Sequence, residues 1–394
     1  MIFEWFQLSL LESILIAVLL LVFLIQVFFY IRYYSGIIRR FKRDQKEKKI
    51  IETEQKPVSI IICARDQAVN LKKNLSTLFE QEYSEFQVVV VNDASSDDTE
   101  NILIHFEKDH PNFYHTFVPQ GIQSVSAKKI AMTIGIKAAK YDQLIFTEAY
   151  CIPKSNQWLS SMARHFDEHC GIVLGFSTYI GMKGLLKQLV SYDTLFMALQ
   201  FMGFSEAGKP YMGIGRNLAY RKQLFFDNRG FASHLYLKSG DDDLFIGEIA
   251  NSTNTQIEIS PESKVLTKVH NVWHHWKDQK VNQLTNTYYY KSGTKFRIRL
   301  EEISRVLFYG LFLALLIIGV VKVNFVPVVF AAVAFIIRYG IQLFVINKSA
   351  RMLEETRHYF LVPFFDLLLL FISFWLKIEK YFKKENKYTW KVLH

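Results

Sequence analysis

From Ser13 to Ile31 the chain carries no charged residue, a run long enough to cross a bilayer as a helix. In lipid such a backbone has no water to bond, so a single segment there is helical. Glu4 and Glu12 precede the run, and Arg32, Arg39, Arg40, Lys42 and Arg43 follow it. By the positive-inside rule this predicts an amino end outside and a following block in the cytoplasm. A cleaved leader would carry its basic residues before the apolar run and end it in small residues, and this run does neither. Residues 1–34 therefore read as an anchor. A second apolar region follows Arg305: Val306 to Val321, Val323 to Ile346 interrupted by Arg338, and Tyr359 to Leu376 with Asp366 inside it. The first two predict a helical hairpin at about 306–346, turning at Lys322 to Asn324. The third has basic residues on both sides and contains Pro363; a charge at the bilayer centre costs about 2.5–3.5 kcal/mol. It reads as an interfacial or re-entrant helix at about 359–376, closed by a basic tail containing Lys383 and Lys384. The expectation is three spans and one interfacial segment, the last two spans lying within 294–394.

The middle of the chain is of another kind. Half of all residues are hydrophobic while the net charge is +10, which suits a membrane protein with positive cytoplasmic flanks. No basic stripe with interleaved aromatics occurs in the polar middle, which argues against a nucleic-acid partner. Cys63, Cys151 and Cys170 are odd in number and unpatterned, as in a reducing compartment without a disulfide framework. Residues 35–56 read as a charged linker closed before Pro57. Val58 to Cys63 and Phe86 to Val91 are continuous apolar runs of the kind buried in parallel sheets. His115 to Pro119 and Gln143 to Thr147 are further strands. Helical spacing falls between the strands at Leu71 to Phe79, after Asp97-Asp98-Thr99, and at Ala127 to Ala139. This alternation predicts a doubly wound α/β domain over 57–293. Ligands of such sheets lie beyond the carboxyl ends of the strands, so the turns of interest are Ala64 to Gln67, Asn92 to Asp98 and Glu148 to Pro153.

Downstream stands Ser239-Gly240-Asp241-Asp242-Asp243-Leu244-Phe245. Three adjacent carboxylates repel one another, and at least one pKa rises unless a cation or substrate hydroxyls share the charge. On these residues alone two readings stay open, a solvated turn capping a helix and a catalytic cluster.

The ordered set Val58-Ser59-Ile60-Ile61-Ile62-Cys63-Ala64-Arg65, Val89-Val90-Val91-Asn92-Asp93-Ala94-Ser95-Ser96-Asp97-Asp98-Thr99, Gly213-Ile214-Gly215-Arg216-Asn217, the acidic triplet and Trp276-Lys277-Asp278-Gln279-Lys280 resembles the membrane-bound family-2 glycosyltransferases. The resemblance covers about Pro57 to Gly293. It implies a GT-A fold, a mixed Rossmann-like sheet, a nucleotide-sugar donor (UDP- or GDP-linked) and inversion at the anomeric carbon. It further implies that Asp93 holds the base or ribose, with Ala64, Arg65 and Gln67 beside the donor. Asp242 corresponds to the general base; Asp241 orients the acceptor or loop, and Asp243 could exchange roles with its neighbour. Lys128 falls where the family has a lysine near the donor. Gly215, Arg216 and Asn217, with Trp276, would shape the acceptor pocket, and Gln279 and Lys280 would close over the diphosphate.

The chain departs from the family at three places. Asp66-Gln67 stands where Asn-Glu is common. Thr147-Glu148-Ala149-Tyr150-Cys151 occupies the Asp-x-Asp position, so Glu148 alone remains as a carboxylate ligand for Mg²⁺ or Mn²⁺, ions that need hard oxygen donors. The Q-x-x-R-W counterpart reads Gln279-Lys280-Val281-Asn282-Gln283. Two outcomes follow from the resemblance: a transferase with a weakened metal site acting on a membrane lipid or growing glycan, or an impaired subunit that binds or scaffolds a polysaccharide-assembly complex. Either implies the inner or plasma membrane, a cytoplasmic catalytic domain and envelope-assembly partners. Few short spans favour transfer of one or a few sugars over processive synthesis. His270, His274 and His275, or His165 with His169 and Cys170, lack the paired spacing of a zinc site.

Overall fold

The computed structural model describes residues 8–46, 55–119 and 126–382. The linker residues 47–54 and the basic tail with Lys383 and Lys384 lie outside the described residues. The amino-terminal helix α1 (Leu10–Phe29) is opened by a capping box between Ser9 and Glu12 and passes through a wider turn at Tyr30–Tyr34 into α2 (Gly36–Lys46). The charged-linker reading is corrected over α2, whose arginines are used in packing: Arg43 meets Glu206 at 2.9 Å, and Arg40 bonds Gln256.

The central sheet is built from β1 (Val58–Ala64), β2 (Phe86–Asn92), β3 (Phe113–Phe117), β4 (Gln143–Phe146), β6 (Ile172–Leu174), β8 (Leu218–Arg221) and β9 (Thr255–Ile257). Their order across the sheet is β3-β2-β1-β4-β8-β6-β9. The first four are parallel; β8 runs antiparallel to both β4 and β6. A small second sheet joins β5 (Cys151–Pro153), β10 (Val265–Thr267) and β7 (Ser177–Tyr179). Every residue of β1 is buried, as a strand covered on both faces requires. Alternate side chains point to opposite faces: Ile61 and Cys63 join one core, and Val58, Ile60, Ile62 and Ala64 the other.

The first of these cores does not stop at the sheet. It continues through α3 (Ala127–Ala138) and α4 (Gly184–Glu206) to Phe29 and Tyr34 on one side and to Val345, Phe365 and Leu369 on another. Helix α4 is thus a core helix between the sheet and the apolar helices. Its approach to the amino-terminal segment is set by glycine: a Cβ on Gly36 would fall 2.6 Å from Gly203 Cα, and one on Gly203 would strike the Tyr33 carbonyl. After α5 (Val272–Asn286) come α6 (Ser292–Val321), α7 (Phe325–Met352) and α8 (Val362–Phe382), with the expected turn at Lys322–Asn324. Leu10–Lys46, α6 and α7 are long and apolar enough to cross a membrane.

Asp366 on α8 is no solitary charge. Its Oδ1 accepts from Arg305 Nη1 at 2.9 Å; its Oδ2 accepts from Arg338 Nη2 and the Tyr309 hydroxyl at 2.8 Å each and from Gln342 Nε2 at 3.0 Å. Arg338 Nη2 also reaches Gln26 Oε1 on α1 at 3.0 Å. Four helices meet at this carboxylate, so the cost of a lone buried charge, which favoured an interfacial placement of this segment, does not arise. Removing one partner of a buried pair leaves the other uncompensated and costs about 3–5 kcal/mol. Asp366→Leu should therefore lower the thermal midpoint of the full chain in detergent. Adding Arg305→Met and Arg338→Met to it should recover much of the loss.

Candidate functional site

Three parallel strands stop at one edge, where the order β2-β1-β4 places chain segments that leave β1 and β4 on either side of a crevice. Beyond β1 and β2 the turns brace each other. Asp93 N donates to Ala64 O at 2.8 Å, and Asp66 Oδ1 accepts from Ser96 N at 2.6 Å. Asp66 and Ala94 both take left-handed backbones, with φ of 51°, a strain typical of turns that the surroundings over-determine. Gln67 is used inside this loop: Nε2 donates to Arg65 O and Oε1 accepts from Asn70. Asp93 is only 2% exposed, and its Oδ2 has no hydrogen-bond partner; Arg65 Nη1 stands 3.9 Å away. Burial pushes the Asp93 carboxyl upward, against the pull of Arg65.

The acidic triplet reaches this edge through Lys128, in the first turn of α3. Lys128 Nζ lies 2.7 Å from Glu148 Oε1, just past β4, and 2.8 Å from Asp241 Oδ2. Burial opposes the ammonium, but Asp241 and Glu148 outweigh it and hold the lysine charged. Burial alone would raise Asp241, yet Lys128 keeps it below its usual range. The buried Cys63 thiol beneath them feels Glu148, Lys128, Asp241 and Asp93 together. The neighbouring Lys129 turns the other way, donating to His234 O at 2.6 Å and Leu237 O at 3.0 Å, and so fixes the approach to the triplet. Gly240 makes the final bend at φ +100°, where a Cβ would also lie 2.5 Å from Leu244.

The three carboxylates differ in what each one touches. Asp241 is spent on Lys128. Asp243 is buried inward: it accepts from Tyr290 Oη at 2.9 Å and from Asn286 Nδ2 at 2.9 and 3.1 Å. Burial and the adjacent Asp242 push Asp243 up to about 7. Asp242 alone of the three is half-buried rather than buried. It caps the helix Asp243–Ile249 and accepts from Gly215 N at 2.8 Å, so the capping reading and the site reading coincide. Burial, then Asp241, raise its pKa.

Gly215 and Arg216 lie here because β8 is antiparallel to β4, which brings the turn before β8 to the edge where β4 ends; Thr147 Oγ1 donates to Arg216 O at 3.1 Å. The Arg216 guanidinium sits over the Tyr179 ring at 4.6 Å and is 8% exposed, with Nε and Nη1 unpartnered. His275 stands 3.0 Å from the Tyr179 hydroxyl and packs edge-on against Tyr150. Burial, Arg216 and Lys128 depress His275 to about 3, so it is neutral.

Several expected residues do other work. Asn217 is saturated: Oδ1 accepts from Trp158 Nε1 at 3.0 Å, and Nδ2 donates to Phe176 O and Ser263 O at 2.9 and 2.8 Å. Trp276 Nε1 and Lys280 Nζ, expected beside the acceptor and the diphosphate, both bond Asp193 on α4, at 2.7 and 2.5 Å. Gln279 is exposed. That part of α5 instead walls a cavity of about 360 Å³ between α4, α5, α6 and α8, lined by Phe196, Tyr290, Val306, Leu369 and Phe374 among others. Sequence reasoning weighed His275 only as a zinc ligand and gave Tyr179, Asn286 and Tyr290 no place at the site; their partners lie far along the chain, at His275 for Tyr179 and at Asp243 for the other two.

The sequence model described as Glycosyl transferase family 2 matches residues 59–227. The chain carries a family 2 glycosyltransferase domain. The transferase is similar to the mannosyltransferase PcManGT from Pyrobaculum calidifontis, solved in complex with GDP-Man and Mn²⁺, at 19% identity and a TM-score of 0.56 over 95% of this chain and 100% of that one. At that identity the likeness speaks for the fold, which is GT-A. It is also similar to poly-beta-1,6-N-acetyl-D-glucosamine synthase of Staphylococcus epidermidis, 29% identical over 93 residues, 23% of this chain and 21% of that protein. The match thus spans about a fifth of the curated relative's length.

The donor set of the transferase does not suit a divalent cation. Glu148, the carboxylate expected to hold Mg²⁺ or Mn²⁺, and Asp241 both accept from Lys128. Tyr150 is a phenol that burial holds neutral, its pKa well above the ordinary value. Among the described residues no three His, Cys, Asp or Glu side chains converge as a metal site.

Because Asn217 is a structural tie, Asn217→Ala should destabilise the full chain by at least about 2 kcal/mol, each stranded buried partner costing about 1–3 kcal/mol. Thermal unfolding in detergent checks this, and nucleoside diphosphate affinity of the folded variant should stay unchanged.

Proposed function

We propose that this protein is a membrane-anchored, inverting glycosyltransferase. It moves a sugar from a UDP- or GDP-linked donor to a lipid or growing glycan at the inner or plasma membrane, with the catalytic domain on the cytoplasmic side. One observation carries the reading: a single ammonium, Lys128, bonds both Glu148 at the carboxyl edge of the sheet and Asp241 of the acidic turn. The acidic turn and the strand ends that bind ligands in wound sheets therefore form one site.

Unspent polar atoms around the crevice give the donor its partners. Asp93 Oδ2, buried and without a hydrogen-bond donor of its own, accepts from a ribose hydroxyl or base N–H, and Arg65 stands beside it. Asp242 is the general base. The acceptor oxygen attacks the anomeric carbon as its proton passes to the Asp242 carboxylate. The bond from that carbon to the diphosphate oxygen breaks, and the electron pair leaves with the nucleoside diphosphate. A single displacement of this kind inverts the anomeric centre. Asp243, fixed by Tyr290 and Asn286, holds the turn.

The acceptor approaches from the membrane side, where the mostly apolar cavity between α5 and the helices α6 and α8 has Tyr290, the partner of Asp243, in its wall. Similarity to a polysaccharide synthase supports a place in cell-envelope assembly, with partners from that process.

Asp242→Asn should lower transfer by about 10²–10⁴-fold, the usual worth of a general base, while nucleoside diphosphate Kd is unchanged; full activity would reject the assignment. Nucleotide binding without any transfer by the wild type would instead favour a scaffolding role. The pH profile gives a second check. Burial and the Asp241 charge raise Asp242, so the acid limb of kcat/KM should lie above the ordinary carboxylate range. Asp241→Asn should move that limb to lower pH.

A further inference from the structure

We infer that this transferase neutralises the departing diphosphate with its own Lys128 and Arg216 in place of a bound divalent cation. The inference rests on the transfer reading above and deepens it. Three observations carry it. The position that would complete a carboxylate pair with Glu148 is Tyr150, a neutral phenol without the charge a hard cation needs. The space between Glu148 and Asp241 is filled by an ammonium within 2.8 Å of an oxygen of each. Tyr150 also feels Arg216, which is buried and hydrogen-bonded to Tyr179, with Nε and Nη1 left unpartnered.

Those free donors point to a ligand. A guanidinium stacked on an aromatic ring is held in orientation, and its planar fork matches two phosphate oxygens. The Tyr179 ring 4.6 Å from Arg216 supplies that seat, and the Tyr179 hydroxyl is in turn held 3.0 Å from His275. His275, neutral in its buried place, adds no positive charge. A divalent ion entering here would have to displace the Lys128 ammonium and lie near a second fixed cation. A diphosphate entering here meets Arg216, and meets Lys128 as its ammonium turns from Glu148 or Asp241 toward the phosphate oxygens. Preorganised charge aimed where negative charge develops is the largest common source of rate in such transfers.

Titration calorimetry on the full chain in detergent, with UDP and with GDP, in EDTA and then in excess Mn²⁺, tests this. The expected result is one nucleoside diphosphate binding with a Kd that changes by less than about threefold between the two conditions. Arg216→Met should weaken it by about tenfold or more, as loss of a charged hydrogen bond does, with Arg216→Lys recovering only part. Lys128→Met should act in the same direction. In the pair Lys128→Met with Tyr150→Asp, Mn²⁺ should begin to tighten binding. Wild-type binding that requires Mn²⁺, or tightens about tenfold with it, overturns the inference without any variant, as does unchanged affinity in folded Arg216→Met. Absence of UDP and GDP binding in both conditions overturns the transferase reading itself, a separate failure from a metal requirement.

Discussion

Buried charge has to be met by opposite charge, and this protein is assembled around two places where that rule is applied. In the apolar helices the Asp366 carboxylate gathers Arg305 and Arg338. At the sheet edge the Lys128 ammonium gathers Glu148 and Asp241. In each, segments far apart in the chain are brought together by a group that would be costly to leave alone. The two differ in their margins. The Asp366 carboxylate has partners on both oxygens, whereas the buried Asp93 Oδ2 at the crevice has no hydrogen-bond partner.

Much of this was legible in the sequence because it was written in periodicity. The continuous apolar runs at 58–63 and 86–91 became β1 and β2, and the longer apolar runs became the helices α1, α6 and α7. The expected helix at Leu71 to Phe79 is instead two short pieces, Ala68–Asn74 and Ser76–Phe79. The strand expected at His115 to Pro119 begins earlier, at Phe113. These are boundary shifts, where local pattern is weakest.

Partner choice was less legible. Nothing in the spacing of Lys128 and Lys129 tells which will face Glu148 and which will hold the loop at His234; a turn of helix decides it. Asn217 looked like a pocket residue because it sits in a glycine turn, yet its amide is consumed by Trp158, Phe176 and Ser263. Lys280 was an obvious cation for a leaving group, but Asp193, on a helix that carries no motif, claims it. Long-range pairing of charges leaves no periodic trace, so it appears only once the helices are packed.

The bare contact between Gly36 and Gly203 has a mechanical meaning. Two backbones touch there with no side chain between them to rotate or slide, and the Tyr33 ring packs, tilted, against Phe204 at 4.3 Å beside it. The stem and the body of the protein are thereby locked at one elevation. A hinge at this point has no side chain to yield, so the amino-terminal segment moves with the sheet it packs on rather than swinging beside it.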